Sequence, residues 1–170
     1  DNGADATGND VGVACTFAEG ETLVELAVAL SYVSIENARE NLEVETAGLS
    51  FDDVHQAAVN EWNTMLSNVQ IDGGTTTDQK IFYTALYHSM MMPTVFNDVN
   101  GQYHGFDKKT HQADGFEYYT DMSLWDTFRT THPLFTLLTP ERHRDMLVSL
   151  VKMAEQGGNL PRWPSGGGYT

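Results

Sequence analysis

The stretch TPERHRDMLVSLVKMAEQGG, residues 139–158, decides the fold class, because every signal in it predicts one well-bounded α-helix. Thr139 followed by Pro140 is typical of a helix start, since the first helical position has no use for the N–H that proline lacks. Gly157 and Gly158 indicate the end of the helix. The apolar residues recur at helical spacing and predict one buried face. They are Met146, Leu147, Leu150, Val151 and Ala154.

The preceding sixty residues also carry helical patterns, separated by long polar loops. A helix should run from about residue 78 to residue 92, with Thr76 and Gln79 at capping-box spacing and Pro93 as its stop. Its inward residues are expected to be Ile81, Phe82, Ala85 and Leu86. Asn100-Gly101 predicts a hairpin turn in the loop that follows. In helical hairpins joined by long loops, binding and catalytic residues are usually found on the loops, so we expect the functional residues there.

Two further helix starts lie nearer the N-terminus. Ser34 can cap a short helix through Leu42, and Ser50 with Asp53 three residues later resembles a capping box. The second of these helices has an apolar stripe at helical spacing. The stripe comprises Phe51, Val54, Ala58, Trp62, Met65 and Val69. A fourth helix should open at Ser123, where Pro133 would bend or split it.

The first thirty residues follow a different period. Apolar residues alternate with small or polar ones across residues 22–32, which predicts a strand with one buried face, and residues 11–17 are a candidate neighbour. The sequence therefore predicts a mainly α protein with an N-terminal β segment.

Composition excludes several functions. Nine Lys and Arg residues against 24 Asp and Glu residues give a net charge of −15, which disfavours nucleic acid as a partner. No apolar stretch is long enough for a membrane span, and no signal peptide is visible. Cys15 is alone, so the chain contains no internal disulfide and no cysteine-based zinc site.

Residues 117–129 (EYYTDMSLWDTFR) are the densest candidate ligand site. Trp125 offers a flat apolar face that suits the C–H face of a sugar ring, and Asp126 can accept hydrogen bonds from two hydroxyls of one sugar. Arg129, one helical turn later, can steer that carboxylate or donate to the ligand. The same spacing also suits a helix cap with Trp125 in the core, and spacing alone leaves both interpretations open.

A second candidate is the Gly-rich loop 156–169, in which Trp163 can stack on a sugar or pack against a helix end. The six histidines form no His-Glu-x-x-His motif, and His143 is expected at the surface. No Gly-x-Ser-x-Gly elbow and no phosphate-binding loop occur in the sequence.

Five stretches, taken together, resemble a known family of glycosidases. They are SYVSIENARENL at 31–42, FYTALYH at 82–88, DVNGQYHG at 98–105, SLWDTFR at 123–129 with HPL at 132–134, and EQGGNLPRW at 155–163. In this order they are similar to glycoside hydrolase family 92, the calcium-dependent exo-α-mannosidases. The resemblance implies three parts: residues 1–33 as the end of a β-sandwich domain, 34–76 as linker helices, and 77–170 as the start of an incomplete (α/α)6 barrel.

The resemblance also implies a function for the parent protein, an inverting α-mannosidase that removes terminal mannose, often α-1,2-linked, from oligosaccharides. By the same likeness, Trp125 and Asp126 bind the terminal sugar, with the carboxylate gripping O4 and O6; Trp163 lines the pocket and Arg129 assists. The catalytic carboxylates and the ligands for Ca2+ are expected after Thr170, so none is assigned here. The rest of the parent chain is then a partner, this chain alone is expected to be inactive, and the location is secreted or periplasmic.

Two alternatives remain open from the sequence. The first is a non-catalytic carbohydrate-binding module that uses the same two tryptophans. The second is another (α/α)-barrel glycosidase that acts on glucosides.

Overall fold

The computed structural model describes residues 8–12, 14–20 and 22–169 and is mainly helical, with short strands between the helices. The helices are α1 (Ile35–Thr46), α2 (Phe51–Leu66), α3 (Thr76–Ser89), α4 (Leu124–Thr127), α5 (Thr131–Leu138) and α6 (Pro140–Gly157). The strands are β1 (Thr94–Val95), β2 (Gln102–His104), β3 (Thr110–Gln112), β4 (Tyr119–Thr120), β5 (Pro164–Ser165) and β6 (Gly168–Tyr169). The prediction of a mainly α chain is confirmed.

Local side-chain hydrogen bonds fix the first three helix starts. The Ser34 hydroxyl accepts from the backbone N–H of Asn37, as predicted, and Ser50 with Asp53 forms the predicted capping box of α2. The cap of α3 is one residue earlier than expected, because Thr75 and Asp78 form the reciprocal pair. Each box satisfies two orphan backbone donors and brings a carboxylate to the positive end of the helix.

Proline and glycine set the remaining helix boundaries. Helix α3 ends at Ser89, three residues before the predicted limit of residue 92, because the chain must leave the helical conformation ahead of Pro93. Pro133 splits the predicted fourth helix into α4 and α5 and lies in the first turn of α5, where its missing N–H costs nothing. Gly158 closes α6 in the left-handed conformation with φ of 87°.

The strands form three two-stranded antiparallel ladders: β1 with β4, β2 with β3, and β5 with β6. The turn predicted at Asn100-Gly101 is present, with Gly101 at φ of 82° and its N–H bonded to the Asp98 carbonyl at 2.8 Å. A second backbone bond crosses this turn, from the Asp98 N–H to the Gln102 carbonyl at 2.8 Å, and β2 then forms its ladder with β3.

The strand predicted for residues 22–32 is wrong, since none of these residues has regular secondary structure. Its candidate neighbour also contains no strand among the described residues of 11–17, and Val13 lies outside them. A strand needs a partner for its backbone groups, and no described segment pairs with this one. Leu23 and Leu26 are accordingly exposed.

The core lies between α6, α5 and the strands. Its buried members are Phe96, Tyr103, Phe106, Tyr118, Tyr119, Met122, Phe135, Met146, Leu150 and Met153. At its centre the rings of Tyr103 and Tyr118 stack with centroids 3.8 Å apart. Two residues predicted for the buried face of α6, Leu147 and Val151, are instead about half exposed, at 49% and 51%.

The predicted apolar faces of α2 and α3 are also largely exposed. Helix α2 has no buried residue, although its Trp62 packs edge-on against Tyr87 of α3 with ring centroids 4.4 Å apart. On α3 only Leu86 is buried, whereas Ile81 is exposed. Helical spacing defines an apolar face, but burial also requires a neighbour to cover it.

At the scale of whole domains, the described residues give a mainly helical unit with short strands. The β-sandwich and the (α/α)6 barrel therefore stay expectations drawn from the resemblance. No helix within the described ranges has the length and apolar character needed to cross a bilayer.

Candidate functional site

Two chain segments that are forty residues apart in sequence run side by side below the candidate site. The N–H of Met122 donates to the Pro164 carbonyl at 3.1 Å, and the N–H of Leu124 donates to the Arg162 carbonyl at 3.3 Å. Both bonds keep the same antiparallel register. Alternate residues of paired segments share a face, so this register sets Ser123 opposite Trp163 and Asp121 opposite Ser165.

An open cleft of about 500 Å³ lies along this paired segment. It is lined by Met92, Asp121, Met122, Ser123, Asp126, Trp163, Pro164 and Ser165. The structure therefore brings two of the four predicted sugar contacts, Asp126 and Trp163, to the same cleft. The other two, Trp125 and Arg129, do not line it.

Asp126 is exposed on the single helical turn α4. The Ser123 hydroxyl donates a hydrogen bond to the carboxylate oxygen Oδ2 of Asp126. No described backbone N–H donates to that hydroxyl, so Ser123 does not form the side-chain cap that the sequence left open. The serine therefore orients the Asp126 carboxylate instead of closing a helix end.

Trp125 is also exposed, at 59%, and therefore does not occupy the core. The guanidinium of Arg129 lies over its ring, with Cζ 5.2 Å from the centroid, and donates to the Trp125 carbonyl. Arg129 also lies 4.5 Å from the ring centroid of Phe128. Among the described side chains Arg129 forms no ion pair with Asp126, so it covers the indole and does not hold the carboxylate.

Trp163 is half-buried in the cleft wall, and Arg162 Cζ lies 4.4 Å from its ring centroid. The β5–β6 hairpin that follows is anchored by two side chains from other parts of the chain. Thr120 Oγ1 donates to the Gly166 carbonyl and Lys108 Nζ to the Gly167 carbonyl, each at 2.9 Å. These bonds hold the Gly-rich loop in one place.

Asp121 is a cleft residue that sequence reasoning did not assign. Its backbone is left-handed, with φ of 58°, and its Oδ1 accepts from Ser165 Oγ at 2.9 Å. Asp is one of the few residues that tolerate this backbone region. No local pattern identifies it, because the register between distant segments decides its position.

A neighbouring cleft of about 110 Å³ shares Met92, Asp121, Met122 and Ser123 with the first and is also lined by His132. His132 Nδ1 lies 3.1 Å from Nε2 of His143, and Thr136 Oγ1 lies 3.0 Å from the other ring nitrogen of His143. The predicted surface position of His143 is wrong, since the ring is buried between α5 and α6. Burial lowers the pKa of both histidines, and the neighbouring imidazole of His143 lowers that of His132 further.

The described residues do not supply a metal site. Nowhere in these ranges do three or more His, Cys, Asp or Glu side chains gather as metal ligands. Calcium prefers six to eight oxygen ligands, and Asp121 with Asp126 falls short of that set. The calcium ion implied by the resemblance therefore has no described ligand set in this chain.

Comparison with known proteins identifies the family. Residues 37–170 match the model of the glycosyl hydrolase family 92 catalytic domain. The family 92 α-mannosidase BT3965 from Bacteroides thetaiotaomicron is 34% identical, with a TM-score of 0.78 over 82% of this chain and 19% of that chain. The same TM-score holds for its complex with mannoimidazole.

Two other similar proteins are also glycosidases. The family 92 inverting mannosidase BT2199 of Bacteroides thetaiotaomicron is 32% identical, with a TM-score of 0.76 over 82% of this chain and 19% of that one. An uncharacterized secreted glycosidase of Arthroderma benhamiae is 29% identical over 114 residues, which are 65% of this chain and 14% of that protein. The chain thus spans about a fifth or less of the length of these relatives. It belongs to glycoside hydrolase family 92.

Proposed function

We propose that the protein containing this chain is an exo-acting, inverting α-mannosidase that removes terminal mannose, with α-1,2-linked mannose as its preferred substrate. The observation that carries this proposal is the cleft that unites Asp126 and Trp163. Family membership and the similarity to two mannosidases support the choice of sugar. In this proposal the cleft forms part of the site for the terminal residue.

Asp126 would fix the orientation of the sugar. A carboxylate has about four acceptor positions, and the hydroxyl of Ser123 uses one of them. The remaining positions can accept from two hydroxyls of one sugar, which we assign to O4 and O6. Hydrogen bonds to a charged partner contribute about 1.5–3 kcal/mol each.

Trp163 would supply the apolar contact. An indole buries the C–H face of a pyranose, and its N–H can donate to a hydroxyl. Trp125 and Arg129 lie outside the cleft lining and form an exposed pair beside Asp126. We propose that this pair contacts the sugar at the cleft entrance.

The chemical step would be performed by groups outside this chain. Inversion requires two carboxyl groups about 6.5–9.5 Å apart, one to protonate the leaving oxygen and one to activate water. We assign neither to a residue of this chain. The purified 170-residue chain, supplied with calcium, should therefore release no mannose from α-1,2-mannobiose, whereas the full-length protein should release it.

Location and partners follow from the same proposal. Mannose-containing oligosaccharides would be the substrate, and the remainder of the protein would complete the site. A secreted or periplasmic location suits such a substrate, and the fungal relative is described as secreted.

The test is the Asp126→Ala variant of the full-length enzyme, with release of mannose from α-1,2-mannobiose as the assay. Loss of two charged hydrogen bonds, at about 1.5–3 kcal/mol each, predicts a fall in kcat/KM of at least a hundredfold without a loss of thermal stability. Asp52→Ala serves as the control, because Asp52 is exposed in the first turn of α2. Unchanged kinetics in Asp126→Ala, or preferential release of glucose by the wild type, would contradict the proposal.

A further inference from the structure

Asp121 combines a left-handed backbone with a carboxylate that lines the cleft. Its φ of 58° is an unusual conformation for a residue with a side chain. Its carboxylate lies in the cleft and accepts from the Ser165 hydroxyl at 2.9 Å. Residues in sparsely populated backbone regions cost free energy and persist where the surroundings fix them.

The Asp121–Ser165 bond lies two residues from Trp163 along the paired segments. The backbone bonds of Met122 and Leu124 flank Trp163 in the register, since they end on the carbonyls of residues 164 and 162. Asp121 and Ser165 form the next facing pair on the face that carries Trp163. Ser165 is only two residues after Trp163 in the chain, so a shift of Ser165 also shifts the backbone next to the indole.

The left-handed turn at Asp121 has a second consequence. It redirects the chain between β4 and the turn that carries Ser123 and Asp126. Asp121 thus lies in the segment that leads to the carboxylate and, through Ser165, contacts the segment that bears the indole.

We propose that Asp121 is a positioning residue that fixes Trp163 for stacking on the sugar. The proposal rests on the sugar-binding function proposed above for the cleft. Asp121 acts through Ser165 and need not contact the sugar. Lys108 and Thr120 hold the more distant turn of the same hairpin, at Gly167 and Gly166.

The experiment is a double-mutant cycle in the full-length enzyme, with KM and kcat for α-1,2-mannobiose as readouts. Asp121→Ala and Ser165→Ala should each raise KM about three- to fivefold with little change in kcat, because displacing Trp163 costs no more than losing its stacking contact of about 1 kcal/mol. In a Trp163→Ala background, Asp121→Ala should change KM less than about twofold, because the residue it positions is gone.

Two further variants separate positioning from folding. Asp121→Asn keeps an acceptor for Ser165 and tolerates the left-handed backbone, so it should restore most of the lost affinity. Ser67→Ala is the matched control, because the Ser67 hydroxyl also donates one hydrogen bond, to Thr64 at the end of α2, away from the cleft. It should leave KM unchanged.

Three results would contradict the positioning role of Asp121. If Asp121→Ala raises KM equally with and without Trp163, Asp121 acts on the sugar or on the fold, and the positioning role is overturned. Wild-type KM in Ser165→Ala overturns it too. If Trp163→Ala itself binds substrate normally, the proposed function of the cleft fails, and this inference fails with it.

Discussion

The surroundings of Asp126 fit a ligand-binding role better than a role in stabilising the fold. It is exposed, it closes no helix end, and a serine hydroxyl holds one of its oxygens. An exposed carboxylate gains little stability from such a bond, so the arrangement favours a ligand-binding role. Of the two tryptophans that the sequence predicted as sugar contacts beside it, only Trp163 lines the cleft.

Trp163→Ala should impair the enzyme more than Trp125→Ala. Trp163 lines the cleft, whereas Trp125 lies outside it; each indole has an arginine guanidinium over its ring, so their position relative to the cleft is the difference. Loss of one stacking contact of about 1 kcal/mol or more predicts at least a roughly fivefold rise in KM for Trp163→Ala. The smaller change for Trp125→Ala would be seen in the same steady-state assay.

The control for this comparison is Trp62→Phe, since Trp62 packs against Tyr87 between α2 and α3. That variant should keep its KM even if it is less stable. A larger KM effect at Trp125 than at Trp163 would move the sugar contact out of the cleft and onto the exposed indole.

At the scale of elements, the sequence correctly predicted features that depend on residues adjacent in sequence. The caps at Ser34 and Ser50 are local hydrogen bonds and were predicted correctly. The α3 cap was misplaced by one residue, because residues 75–77 are three threonines and each is a plausible cap. The predictions of a strand at 22–32 and of a buried Leu147 were wrong, because strand formation and burial depend on neighbours in space that no local pattern reveals.

The candidate site divides in the same way. Asp126 and Trp163 belong to motifs that the sequence shows directly, so both were predicted as sugar contacts. Asp121 and Ser165 were missed because their pairing follows from a register between segments forty residues apart. The histidine pair between α5 and α6 was missed for the same reason, since it joins residues on two packed helices.

The histidine pair predicts a loss of stability at mildly acidic pH. The pKa values of His132 and His143 are lowered from 6.5 in the folded protein, so the unfolded state binds more protons as the pH falls. Stability is therefore full above about pH 6.5 and declines as the pH drops below it. Urea unfolding of the wild type and His143→Gln across pH 5–8 should show a shallower decline in the variant.

His55→Gln is the control for the pH series. His55 is an exposed helical histidine on α2, and burial is the main cause of the lowered pKa values in the pair. The decline in unfolding free energy should therefore match the wild type in this variant. An identical pH dependence in His143→Gln and the wild type would exclude the buried pair as its source.

At the scale of the whole molecule, one buried carboxylate joins the first helix to the strands. Asp98 accepts from Ser31 Oγ and Asn37 Nδ2 at 2.7 Å and from Asn41 Nδ2 at 2.8 Å. Asn41 also donates to the Leu30 carbonyl at 2.8 Å. These bonds fix α1 and the residues before it against the turn that leads into β2.

Asp98→Ala should therefore loosen this junction. The substitution removes the acceptor that half-buried Ser31 shares with buried Asn37 and Asn41, which costs on the order of 3 kcal/mol although Asn41 keeps its bond to the Leu30 carbonyl. Hydrogen exchange measured by mass spectrometry should show lost protection across residues 30–46, whereas α6 stays protected. Glu40→Gln is the matched control, because Glu40 accepts from Asn100 at 2.9 Å across the same junction but at an exposed position. An exposed contact contributes little, so equal loss of protection in the two variants would show that the buried carboxylate does not hold the junction.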